Sequence, residues 1–214
     1  NNKAISICAG LPGTLNKENG SLLHAPHLAG WEGKDISSKL NEIFNCPVHI
    51  ENDTALVGLG EAVFGAGRGF GIVAYVTLST GVGGVKIENG KVDSNSIGFE
   101  IGHHYVDGES TFEQLVSGTS IEEKYKTKPK EILDVGIWEN YTDTLAKGIA
   151  NVITFWSPDV VVIGGSMARS VLFERLNIET KLLCPEYDDI PNIVAAELDT
   201  IGGLYGGLAT ALNK

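Results

Sequence analysis

Cysteine and positive charge are both scarce in this chain, and each shortage removes a class of function. Cys8, Cys46 and Cys184 are three in 214 residues, odd in number and far apart. Each lies in or beside an apolar run. That pattern predicts reduced, buried thiols of a cytosolic protein, and it excludes a disulfide framework or a metal knuckle. Lys and Arg number 16 against 27 Asp and Glu, a net charge of −11. Such a chain repels nucleic acid and anionic membranes unless a basic patch intervenes. The densest basic stretch, Lys124, Lys126, Lys128 and Lys130, reads as a solvated turn between two helices. No apolar stretch is long enough to span a bilayer, and none reads as a signal peptide. Neither low-complexity sequence nor an internal repeat is present.

What remains is an ordinary core-forming chain, 43% hydrophobic, long enough for one large domain or two modest ones. Glycine is the exception: 27 of 214 residues is well above the usual share of about 7%. The excess clusters at the ends of apolar runs, which points to tight turns that approach a ligand. Strand and helix patterns alternate, so the expected class is α/β. Residues 4–9 form an apolar run ending in Gly10-Leu11-Pro12-Gly13. Ile36, Leu40, Ile43 and Phe44 mark one face of a helix. Val48 and Ile50 make a short strand, and a helical run follows from 54 to 64. A buried-type strand is predicted over 72–78, then a hairpin over 85–92 about Asn89-Gly90. Leu145, Ile149, Val152, Ile153 and Trp156 stripe a helix that Ser157-Pro158 ends. Strands are predicted over 160–163 and 193–198. The last helix, 203–212, carries Gly206-Gly207, which costs helix stability and suggests close packing there.

Four clusters could carry chemistry. Glu51-Asn52-Asp53 ends a strand, at the edge where α/β sheets gather ligands. An aspartate there can take the proton of a hydroxyl that attacks phosphorus, and the asparagine suits a sugar hydroxyl. Asp53 also directly precedes a helix, and on these three residues alone an N-cap is the favoured reading. Leu78 to Gly84 is a glycine turn whose N–H groups could surround anionic oxygens, or a plain β-turn, since no Walker-type lysine follows. Glu100, His103 and Glu113 could grip sugar hydroxyls through charge-assisted hydrogen bonds. A scattered polar surface loop explains them equally well. A zinc site is not expected, because no cysteine lies between Cys46 and Cys184. Finally, Gly164-Gly165 closes a short apolar strand and would admit a flat group such as a nucleobase, though many α/β turns look the same.

The order of these clusters says more than any one of them. Gly10-Leu11-Pro12-Gly13, the run from His24 to Trp31, Glu51-Asn52-Asp53 and Gly60-Glu61 follow one another. Phe64 to Gly69, the turn at 79–84, Glu100-Ile101-Gly102-His103 and Gly164-Gly165 complete the set. As an ordered set covering nearly the whole chain, they resemble the ROK family of sugar kinases and repressors. That resemblance implies an actin/hexokinase-like (ribonuclease H-like) fold of two α/β lobes about a cleft. It implies Asp53 as catalytic base, and Asn52, Glu100, His103 and Glu113 as sugar ligands. It implies Thr80, Gly81, Gly83 and Gly84 on the ATP phosphates, Gly164 and Gly165 on the adenosine side, and Mg²⁺ with the ATP.

Departures from the family pattern shape the expectations. No Asp-x-Gly-Gly-Thr segment occurs, so the small N-terminal lobe is expected to be incomplete, with weak nucleotide binding and strand edges open to a homodimer. Residues 105–110 replace the zinc-binding cysteines. Ala55 and His27 stand where asparagines are usual, the latter bearing on sugar preference. The expected division is 1–55 for the small lobe, 56–200 for the large one and 201–214 for a C-terminal helix packing back. The reading is a cytoplasmic, ATP-dependent kinase of a hexose or N-acetylhexosamine, with sugar and ATP as partners and neither nucleic acid nor membrane. The alternatives are a non-catalytic sugar-binding regulator and an inactive truncated relative.

Overall fold

The computed structural model describes residues 3–16, 19–25, 28, 30–96 and 98–212. Its centre is the strand β5, Ile72–Leu78, whose side chains alternate between two cores. Before it come β1 (Ile7–Leu11), β2 (Thr14–Leu15), β3 (Leu22–His24), α1 (Ile36–Phe44), β4 (Val48–Asn52) and α2 (Asp53–Phe64). After it come β6 (Val82–Glu88), β7 (Lys91–Val92), α3 (Phe112–Val116), α4 (Gly118–Tyr125), α5 (Val135–Trp156), β8 (Val160–Gly164), α6 (Phe173–Leu183), β9 (Asn192–Ala195) and α7 (Gly202–Leu212).

Among the described residues the largest sheet has five strands in the order β7-β6-β5-β8-β9. The β5–β6 and β6–β7 pairs are antiparallel, while β8 runs parallel to both β5 and β9. On one face Ala74, Val76, Leu78, Val161 and Ile163 pack against Leu145, Ile149, Val152 and Ile153 of α5. On the other, Val73, Tyr75, Val85 and Val162 pack against Ala55, Leu59 and Ala62 of α2 and Ala209 of α7. Helices therefore cover both faces, as a parallel strand pair requires. A separate pair, β1 parallel to β4, lies with the β2–β3 hairpin over a small core of Leu15, Leu22, Ala25 and Ile36.

Helix α2 joins the two groups of strands, and α7 packs along α2 and against β1. The contact is close because it is made by glycines. A Cβ at Gly206 would collide with the Leu56 carbonyl, and one at Gly60 with that of Gly202. The expected division after residue 55 falls inside the first turns of α2, which is one continuous helix. No helix among the described residues is long and apolar enough to cross a membrane.

The structure corrects several local expectations. The α1 stripe is only half used: Ile36 is buried, but Ile43 and Phe44 are exposed, since the small core ends before the last turn. The hairpin strand β6 begins at Val82, three residues before the expected 85, so Gly83 and Gly84 are strand residues and only 79–81 turn. The last strand stops at Ala195 instead of running to 198. Ala196 N–H still donates to the Ile163 carbonyl at 2.9 Å, but the N–H groups of Glu197 and Leu198 turn to the Glu61 carboxylate, at 3.1 and 2.7 Å, and leave the ladder. Cys46 and Cys184 are buried free thiols as expected, whereas Cys8 is only partly buried. His27 lies outside the described residues.

Candidate active site

A cleft of about 790 Å³ opens where β4 meets α2, opposite the β5–β6 turn and the segment after β7. Asn52, Asp53, Thr80, Gly81, Gly83, Gly84, Glu100, His103 and Glu113 all line it. Four elements and two loops thus bring nine sequence-picked residues to one place. Gly164 and Gly165 are not among the lining residues. Gly164 lies under the Tyr75 ring, and Gly165 at φ 88° lies under the Leu78 backbone. Met167 N–H donates to the Leu78 carbonyl at 2.9 Å, so this turn props the base of the 79–81 turn from outside the cleft.

Capping decides the roles of the first cluster. Asn52, not Asp53, is the N-cap of α2: its Oδ1 accepts the Ala55 N–H at 3.1 Å. Its Nδ2 donates to the Gly13 carbonyl at 3.1 Å, tying the Gly10–Gly13 loop to the helix start. The favoured capping role of Asp53 is therefore corrected. Asp53 is the first helical residue, exposed at the cleft, with one oxygen accepting the Thr54 N–H at 2.7 Å. A carboxylate there is held by the positive end of the helix dipole. Beside it, Glu51 is buried and accepts the Asn52 N–H at 2.9 Å.

On the opposite wall, Glu100 Oε2 lies 3.3 Å from His103 Nδ1, both side chains more than half exposed. The neighbouring His104 turns inward instead. Its Nδ1 is 2.5 Å from the Ile101 carbonyl, and its ring is 5.1 Å from that of Phe112. Glu113, in the first turn of α3, accepts the Val82 N–H at 2.8 Å. The Glu113 carboxylate therefore sits directly against the phosphate-type turn. Among the described residues, the N–H groups of Thr80 and Gly81 donate to no protein acceptor. Two free donors on a glycine turn suit anionic phosphate oxygens.

Other lining residues were not among the site residues expected from the sequence. His24 reaches the cleft from β3 with Glu32 3.5 Å away. Tyr75 lines it from β5, its hydroxyl pushed up to about 12 by burial, with a smaller contribution from Glu61. Asn95 lines it with a buried Oδ1 that no described residue satisfies. Only the fold brings these to the cleft. The run that His24 opens and the strand that holds Tyr75 are recognisable in sequence, but neither marks these side chains as cleft residues, and nothing around Asn95 does so. Among the described residues, no group of three His, Cys, Asp or Glu is placed to hold a metal ion.

Residues 1–214 match the model of the ROK family. The glucokinase of Thermotoga maritima is 27% identical over 92% of this chain and 76% of its own length. The xylose repressor of Bacillus subtilis is 27% identical over 78% of this chain and 49% of its own. The ROK hexokinase of Thermus thermophilus superposes with a TM-score of 0.82 at 25% identity, covering 95% of this chain and 78% of that one. The fold is accordingly the actin/hexokinase-like one. A family match over the whole chain, on a fold shared with a ROK hexokinase, means that this chain belongs to the ROK family.

Proposed function

We propose that this protein transfers the γ-phosphoryl group of ATP to a hydroxyl of a hexose or N-acetylhexosamine. The observation that carries the reading is the freedom of Asp53: Asn52 does the capping, so the Asp53 carboxylate is exposed to the cleft that Glu100, His103 and Glu113 share. A merely sugar-binding regulator has no need of a proton acceptor there.

In this reading Glu100, His103 and Glu113 accept or donate hydrogen bonds to neighbouring sugar hydroxyls and fix one of them toward Asp53. Asp53 takes that hydroxyl's proton as its oxygen bonds to the γ-phosphorus and the bond to the β-phosphate oxygen breaks, releasing ADP. Thr80 and Gly81 offer their free N–H groups to the phosphate oxygens, positioning the donor in line. A bound Mg²⁺ would neutralise charge on the phosphates. The Gly164-Gly165 turn acts on the adenosine side, or indirectly by supporting Leu78. A cytoplasmic setting and a homodimer belong to the same reading.

The test is a phosphorylation screen with Mg-ATP and a panel of hexoses and N-acetylhexosamines. Turnover with one sugar, lost in Asp53→Asn while that sugar still binds, is the expected result. Turnover undiminished in Asp53→Asn would sink the mechanism. Sugar binding without phosphorylation in the parent chain would favour the regulator reading.

A further inference from the structure

We infer that Glu113 is a coupling residue, through which a sugar in the cleft orders the turn that receives phosphate. The inference rests on the reading of the cleft as a sugar kinase site. Glu113 belongs to the sugar wall, yet its Oε2 accepts the backbone N–H of Val82 at 2.8 Å, the residue that ends the 79–81 turn. Gly81 leaves room for this contact: an added Cβ would lie 2.5 Å from Glu113 Oε2. Among the described residues, no donor reaches the other Glu113 oxygen.

The element that carries Glu113 is rigid and is fastened to the same turn. Phe112 and Val116 are fully buried, and the Tyr141 hydroxyl donates to the Val116 carbonyl at 3.1 Å. Beyond α3, Gly118 N–H donates to the Ser79 carbonyl at 2.7 Å, and the Thr119 hydroxyl to the Thr80 carbonyl at 2.7 Å. The turn is thus held along its carbonyl side by α4. On its N–H side the Glu113 carboxylate holds Val82.

A glutamate side chain loses considerable rotamer freedom when it is fixed. Sugar hydroxyls donating to the open oxygen would fix it through charge-assisted bonds. The Val82 bond is then held without a second ordering cost, and the turn stiffens before phosphate arrives. Linkage makes the effect mutual: a nucleotide that orders the turn tightens sugar binding by the same factor.

The experiment measures amide hydrogen exchange at residues 79–82 by NMR, with and without the sugar that binds. In the parent chain, sugar is expected to slow exchange at Val82 by about 5- to 20-fold, within the usual range of coupling between sites. In Glu113→Ala the sugar-dependent factor should vanish. In Glu113→Gln, which folds more safely and keeps an uncharged acceptor, it should fall below about two-fold, because the charge-assisted bonds are gone. A purely structural Glu113 would change exchange equally with and without sugar, so the sugar-dependent ratio is the readout. Sugar bound at saturation with Val82 exchange unchanged would overturn the coupling, as would an undiminished factor in Glu113→Gln. If no sugar in the panel binds, the kinase reading itself fails and the coupling goes with it, a result distinct from binding without coupling.

Discussion

The Glu61 carboxylate on α2 accepts the backbone N–H of Leu198, 137 residues later, at 2.7 Å. It also accepts the N–H groups of Ala66 and Glu197 at 3.0 and 3.1 Å, and it is fully buried. One side chain thus ends β9 and sets the approach to α7. Glu61→Gln should destabilise the protein by about 3 kcal/mol, because an amide nitrogen replaces one acceptor and leaves buried donors unpaired. Denaturant unfolding would show a lowered midpoint; an unchanged one would remove Glu61 from this role.

Gly206→Ala offers a contest between two effects of known sign. Alanine favours a helix over glycine by about 1 kcal/mol. The new methyl would meet the Leu56 carbonyl on the facing helix, where α2 and α7 touch through backbone. Overpacking of this kind costs about 1–3 kcal/mol or more, so the net effect should be destabilising. A rise in the unfolding midpoint would show that α7 is free to shift.

Asn52 should prove more structural than its place in the cleft suggests. Asn52→Ala removes the cap bond to Ala55 and the tie to Gly13. The cap alone is worth about 1 kcal/mol. Since the α2 start also carries Asp53, turnover should fall together with stability. Calorimetric unfolding and the phosphorylation assay would check this on the same sample, and loss of activity at full stability would return Asn52 to a direct role with the sugar.

Acid should loosen the packing of α6 on α5. Asp143 on α5 takes two hydrogen bonds from Arg175 on α6, at 2.6 and 2.7 Å. That guanidinium holds the Asp143 carboxyl below its ordinary value of 3.8. Because the folded value is the lower one, the stabilisation is complete above 3.8 and is lost as pH falls through the folded value. The pair is exposed enough for salt to weaken it. The parent chain should therefore lose its thermal advantage over Arg175→Met as pH drops below 3.8. An advantage constant across that range would exclude the linkage.

Much of the fold was legible because it is written in local periodicity. Strand β5 begins and ends where the β-branched run does, and Asn89-Gly90, both at positive φ, turns the hairpin as its chemistry demands. The α1 stripe misled because amphipathic spacing shows which face is apolar, not how far the neighbouring core extends. Strand β9 was read too long because its end is set by Glu61, more than a hundred positions away in sequence.

The sequence by itself determined the α/β class, the order of the elements and the residue types able to handle sugar hydroxyls and phosphate. These follow from side-chain chemistry and from spacing within a few turns of chain. Only the tertiary structure decided which side chains are free to act. It assigned the cap to Asn52 and so released Asp53, turned His103 outward and His104 inward, kept Gly164 and Gly165 out of the cleft, and set Glu113 against Val82. Each of those outcomes depends on which group first satisfies a backbone donor or acceptor. That competition is settled only when distant parts of the chain meet.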